Sequence, residues 1–157
     1  MSLNEEVELL RSVPLFAKIE PSKLKLLAFT SERLTFPKGQ NLFKQGDPGD
    51  AAYVIINGNA DIVIDTPSGP LTVAHVGKNA FVGEIAILID VPRTATITPT
   101  TDLETLKISK DLFFRLITEF PEMAIEIMRE LARRLEQTNL QLSDANRRLA
   151  SAGVEDR

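Results

Sequence analysis

The sequence predicts a mainly β protein with helices at both ends. Three observations carry this. Turn signals recur at short spacing between residues 33 and 109. β-Rich runs lie between those turns. Proline-punctuated amphipathic segments flank the region on either side.

Residues 4–31 read as helix, break, helix. NEEVELLRSV places Val7 and Leu10, with Leu3, on one face; Pro14 breaks it; Pro21 and Ser22 open a second helix with Leu24, Leu27 and Ala28 inward. In 33–109 the turns are Pro37-Lys38-Gly39, Gly46-Asp47-Pro48-Gly49-Asp50, Asn57-Gly58-Asn59, Pro67-Ser68-Gly69-Pro70 and Gly77. The expected strands are LFKQ, AYVII, ADIVID, LTVAHV, TATIT and LETLKI, and Asn57-Gly58 reads as a hairpin turn. An antiparallel sandwich, barrel or jelly roll accommodates this pattern. From Lys110 a short helix runs to Pro121, and a second helix follows without Pro or Gly to residue 150, about 45 Å of helix. The expected divisions are thus 1–31, 32–120, 121–150 and a frayed tail at 151–157.

Composition narrows the function. The chain has 157 residues, a net charge of −4, no cysteine and one histidine. Disulfides, thiolate nucleophiles and zinc–sulfur sites are excluded, and a single histidine argues against a histidine-built metal centre or a Ser-His-Asp triad. No cofactor or metal is expected, and nothing supplies a nucleophile–base pair, so the reading is non-enzymatic. The sole histidine, His75, reads as a strand residue with an ordinary partner. The acidic balance gives no global attraction to nucleic acid or anionic membrane. No apolar run is long enough to span a bilayer. The start lacks the plan of a secretory signal, which points to a cytoplasmic protein.

In the long helix Met128, Leu135, Leu142 and Leu149 recur every seven residues, with Leu131, Thr138 and Ala145 on a weaker second track. This stripe suits a homodimer through residues 121–150; a helix folded back on its own sheet is the alternative.

FVGEIAILIDVPRTATI, residues 81–97, sets a carboxylate and a guanidinium nine residues apart in an apolar run. With Gly83 ending a strand and Glu84–Leu88 forming a helical turn, unpaired backbone N–H groups can meet an anion. Gly83 and Ala86 keep the approach open. Arg93, expected to begin the next strand, can give two parallel donors to phosphate. Glu84 would repel phosphate but can accept from a ribose hydroxyl. The pair matches a singly charged cyclic phosphate better than ATP; a simple Glu84–Arg93 ion pair is the competing reading.

These residues resemble the phosphate-binding cassette of cyclic nucleotide-binding domains: Gly83, Glu84, Ala86, Pro92, Arg93, Ala95 and Thr96 match its pattern. LFKQGDPGDAAYVIINGNADI, residues 42–62, is similar to the family's first hairpin, and the resemblance covers roughly residues 10–146. It implies an eight-stranded antiparallel, jelly-roll-like β-roll with N-terminal helices and a long C-terminal dimerisation helix. It also implies a cyclic nucleotide, cAMP or cGMP, as ligand. Glu84 would hold the ribose hydroxyl. Arg93 would hold the phosphate, with backbone N–H groups of Ile85, Ala86 and Ala95. Val73 and Phe81 would line the ribose and base side. Thr94 would stand where a hydroxyl can meet a guanine amino group, or would be a surface residue. ARRLEQTN, residues 132–139, is similar to the dimerisation helix of the catabolite activator protein subfamily, where Thr138 and Asn139 would meet the base from two subunits. No DNA-binding module is expected in these residues, so the signal would pass to an unnamed downstream protein. A degenerate module of the same fold that binds no nucleotide is the alternative.

Overall fold

The computed structural model describes residues 2–155, with Leu15 and residues 153–155 described by backbone alone. Helix α1, Leu3–Arg11, opens on Ser2, whose hydroxyl accepts from the Glu5 N–H. Such a side-chain cap satisfies one of the helix's orphan donors. A 3-10 turn at Pro14–Phe16 and helix α2, Pro21–Thr30, follow. Proline starts both, where a missing N–H costs nothing.

Seven strands come next: β1 Glu32–Phe36, β2 Ala51–Asn57, β3 Ala60–Thr66, β4 Gly69–Val76, β5 Phe81–Val82, β6 Thr96–Pro99 and β7 Leu103–Ser109, with α3, Glu84–Ile89, between β5 and β6. They form two antiparallel sheets, ordered β1-β7-β2-β5 and β4-β3-β6. Helices α4, Lys110–Glu119, and α5, Pro121–Glu155, complete the chain.

β2 organises the packing. Its first six residues are all buried, because both faces are covered. Ala52, Val54 and Ile56 join Leu10, Phe16, Leu24, Phe113, Leu116 and Met123 in a core between sheet and helices. Ala51, Tyr53 and Ile55 join Val82, Ile97 and Leu103 in a second core between the sheets. The period-two alternation of a strand thus divides one segment between two cores.

The structure departs from the sequence reading in four places. LFKQ forms no strand; Phe43 makes one isolated bridge to Ile97, while ERLTF and FV supply β1 and β5. These seven strands and that bridge stand for the eight expected. Asn57-Gly58 turns the chain but closes no hairpin, since β2 and β3 lie in different sheets. The corner binds the β6–β7 loop instead: the Thr100 N–H donates to Asn59 O, and the Asn59 N–H to Thr101 Oγ1. A Cβ on Gly58 would lie 2.3 Å from the Asp102 carbonyl oxygen, so the turn serves this contact. Residues 151–155 continue α5 rather than fraying, and residues 156–157 of the expected tail lie outside the described residues. Finally, Leu131 packs against its own core behind Met123 and Ile127, which removes it from the second track of the seam.

Beyond that point α5 makes little contact with the body. Every described side chain from Leu135 to Ala152 is exposed. Among the described residues no helix is long and apolar enough to cross a membrane.

Aromatic rings tie the helical layer to β5. Phe16 meets Phe81 edge-on at 5.6 Å, and Phe113 stacks on Phe81 at 6.0 Å. Phe113 is fully buried, whereas Phe29 on α2 is 78% exposed. Phe113→Ala should lower unfolding free energy in urea by about 3–5 kcal/mol, and Phe29→Ala by less than about 0.5 kcal/mol. Equal losses would show that Phe113 is not a core support.

Candidate functional site

The segment 81–95 is folded around one buried cation. After β5 the chain takes a left-handed step at Gly83, φ 84°, and enters α3 at Glu84; it leaves α3 through a second left-handed residue, Asp90. Residues 91–95 form a loop, so Arg93 precedes β6 instead of beginning it. That loop is held by reciprocal backbone bonds to the Gly46–Asp50 turn. The Gly46 N–H donates to Arg93 O, and the Arg93 N–H to Asp47 O, both at 2.8 Å.

The Arg93 side chain is 4% exposed. Its guanidinium donates to Gly83 O at 2.9 Å and to Ala51 O at 2.6 Å. Its Cζ lies 3.9 Å from the Phe43 ring centroid, a cation–π contact. Its Nε is buried with no acceptor. No carboxylate stands within ion-pairing distance of it among the described residues; Asp50, Asp47 and Glu84 act on it only at longer range. Burial accordingly pulls the guanidinium below its ordinary pKa. Gly83 suits this place twice over: its backbone is left-handed, and a Cβ there would sit 2.7 Å from an Arg93 terminal nitrogen.

Glu84 is buried and turned toward α5. Its carboxylate accepts from Arg134 at 2.8 Å, and Arg134 also lies 3.7 Å from Glu130. This ion pair joins the segment to the long helix.

These groups face one cavity of about 450 Å³, within the range of small-molecule sites. Of the residues the sequence singles out, Phe81, Gly83, Glu84, Ile85, Ala86, Arg93, Thr94 and Ala95 line it. Val73, Thr138 and Asn139 do not. Val73 is 50% exposed, because β4 carries an extra residue there: Ala74 pairs with Ile62 and Thr72 with Val63. This bulge turns Ala74 and Val76, not Val73, to the cavity. Thr138 and Asn139 are exposed on α5, and the Thr138 hydroxyl bonds to Arg134 O. His75 has its expected ordinary partner, Asp61, across the β3–β4 ladder.

Sequence reasoning missed Phe43, Ile62, Ala74, Val76, Arg134 and Gln137. Arg134 was traceable: it lies four residues before Thr138 and so on the same helix face. Phe43 was not, since its role depends on chain crossing from 43 to 93. Among the described residues no group of His, Asp and Glu is placed to hold a metal.

Comparison with known proteins agrees with this architecture. Residues 33–120, more than half of the chain, match the family model described as "Cyclic nucleotide-binding domain". The chain is similar to a CRP-like cAMP-activated global transcriptional regulator of Mycobacterium tuberculosis, 33% identical over 138 residues that cover 87% of this chain and 62% of that protein. It is also similar to a cAMP-dependent protein kinase regulatory subunit of Colletotrichum orbiculare, 36% identical over 110 residues, 70% of this chain and 28% of that one. Among solved structures, the Thermus thermophilus catabolite activator protein superposes with a TM-score of 0.77 at 30% identity, covering 83% of this chain and 62% of that one. The N-terminal domain of a transcriptional regulator from Streptomyces coelicolor A3(2) gives 0.70 at 34% identity, covering 83% and 94%. The chain spans less than two thirds of the length of the curated relatives it matches. The chain belongs to the cyclic nucleotide-binding domain family.

Proposed function

We propose that this chain is a non-enzymatic sensor that binds a 3′,5′-cyclic nucleotide and signals through α5. The observation that carries the reading is Arg93: a buried guanidinium with no carboxylate partner, opening on a cavity of nucleotide size. A buried cation needs an anion or complete hydrogen bonding. The cavity's charged side chains are Arg93, Arg134 and Glu84, a net charge of +1. A cyclic monophosphate carries −1 and balances it, whereas the several charges of ATP do not. In this reading Arg93 and the first amides of α3 hold the phosphate. Glu84, steadied by Arg134, accepts from the ribose hydroxyl. Phe81, Ile62, Ala74 and Val76 give apolar walls to sugar and base. Thr94 and Gln137 are the polar groups toward the base. The two named relatives described as responding to cAMP favour that nucleotide over cGMP.

The same proposal makes the working unit a homodimer through residues 121–150. Met128, Leu135, Leu142 and Leu149 are 61%, 62%, 58% and 71% exposed in the single chain, a continuous apolar stripe. A second copy of α5 covers such a stripe and brings its own Thr138 and Asn139 alongside. The downstream protein that reads helix position has no signature in the fold.

Arg93→Ala should weaken cAMP binding in calorimetry by roughly 2–5 kcal/mol, the range for removing one partner of a buried charge pair. Arg93→Lys should recover only part of this, since an ammonium lacks the planar fork. Unchanged affinity in the alanine variant removes Arg93 from the site. Leu142→Glu should turn a sedimenting dimer into a monomer; a wild type that is monomeric at 100-micromolar order, roughly, rejects the dimer.

A further inference from the structure

Gly49 is not part of the cavity wall, yet it touches the group on which the proposed site turns. A Cβ built on it would lie 2.4 Å from Ala86 Cβ, 3.3 Å from Arg93 Nε and 3.4 Å from Arg93 Cζ. Its backbone is not in the left-handed region, so the torsion angles admit any residue. Only space forbids a side chain. Gly39 is the opposite case: it is left-handed, φ 86°, with nothing within 4 Å of an added Cβ.

We propose that Gly49 is a positioning residue for Arg93, its bare backbone being the spacer that sets the gap between the guanidinium and the start of α3. The surrounding contacts make this spacer effective. Residues on either side of it are fixed: Asp47 O accepts from the Arg93 N–H, Asp50 O from the Lys110 N–H, and Ala51 O from the Arg93 guanidinium. The turn therefore cannot swing away from a new methyl group without releasing Arg93. Nor can Arg93 retreat, because Phe43 covers its ring-facing side and Gly83 O its far nitrogen. Carbon atoms rest at about 3.5–4.0 Å, so a methyl at 49 must push Ala86 and the start of α3 away from the turn by about 1 Å while Arg93, tied to that turn, is displaced far less. Donor sets hold their geometry to within roughly 0.5 Å when they bind well. The arginine and the α3 amides would then no longer converge on one phosphate.

This inference rests on the reading of the cavity as a cyclic nucleotide site, and the test separates the two. Calorimetry with cAMP and with cGMP is run on wild type, Gly49→Ala, Gly39→Ala, Ala86→Gly and the double variant Gly49→Ala/Ala86→Gly, with melting temperatures measured alongside. Gly49→Ala should lose at least about tenfold in affinity for whichever nucleotide the wild type binds. Gly39→Ala, strained elsewhere, should melt lower but bind within roughly threefold of wild type. Removing the opposing methyl in the double variant should restore most of the lost affinity. A wild type that binds neither nucleotide overturns the site reading. A wild type that binds, with a folded Gly49→Ala of equal affinity, overturns the positioning role alone. So does a folded double variant whose loss equals the combined losses measured for Gly49→Ala and for Ala86→Gly alone, because the two positions are then uncoupled. Should Gly49→Ala not fold, a double variant that folds and binds near wild type supports the proposal. Failure of both to fold while Gly39→Ala folds assigns Gly49 to stability and overturns it.

Discussion

The burial of one positive charge constrains the rest of this structure. Moving a guanidinium out of water costs several kcal/mol unless its donors and its charge are answered. Here two backbone carbonyls, Gly83 O and Ala51 O, and the face of Phe43 answer part of that cost, and Nε is left with nothing. The carbonyls come from α3's approach and from β2, the strand shared by both cores. Phe43 comes from a segment whose single bridge to Ile97 holds it against the second sheet. Three separate parts of the chain therefore meet at one side chain: Ala51 in β2 and Gly83 just past the neighbouring β5, both of the first sheet, and Phe43 from a segment bridged to the second. The arrangement leaves Nε without an acceptor and the charge without an ion-pair partner among the described residues, and Arg93 lines the cavity.

The second charged contact joins the cavity to the long helix. Glu84 follows directly on the glycine whose carbonyl holds Arg93, and it grips Arg134 of α5. At its other end α5 is tied to the N-terminal helical segment by Lys23–Glu122 and Lys18–Glu126. Exposed pairs such as Lys23–Glu122 contribute little stability. The apolar packing of Met123 and Ile127 is what fixes the base of the helix. A ligand competing for Glu84 would thus act on the upper part of a helix whose lower part is held. Such a ligand can shift the helix only by as much as it prefers one helix position over another.

Much of this was readable in the sequence because local rules and tertiary demands agree there. The proline-started helices, the strand–glycine–helix step at 82–84 and the strand at AYVII all follow from residue type and spacing. What escaped did so for physical reasons. Asn57-Gly58 carries the chemistry of a hairpin turn, but the Asp102 carbonyl beside it recruits the corner to another loop. LFKQ has strand propensity, but it makes one ladder bridge, at Phe43, while the Lys44 and Gln45 N–H groups donate to the side chains of Asp47 and Thr96. Val73 alternates correctly as a strand residue until a bulge, which no local signal marks, shifts the register by one. Arg93 was identifiable by type as a candidate phosphate ligand, whereas its lack of an ion-pair partner follows from Glu84 turning to Arg134, fifty residues away.

The long helix raises a question of stability that links the site to self-association. A helix of this composition gains little from its own hydrogen bonds, and most helical stability in proteins comes from packing an apolar face. α5 packs its face on the body as far as Leu131, and from Leu135 onward its leucines meet solvent. The three residues between these regimes include Arg134, and Gln137 lies just beyond, three residues further along the helix; both line the cavity. The point at which the helix ceases to be supported by its own chain is therefore the point at which it borders the proposed ligand. Under the proposed pairing, a second copy supplies the missing packing immediately beyond that border. Anything that repositions Arg134 then alters the angle at which the unsupported leucines are presented, so occupancy of the cavity and geometry of the pair are coupled through a single helical turn.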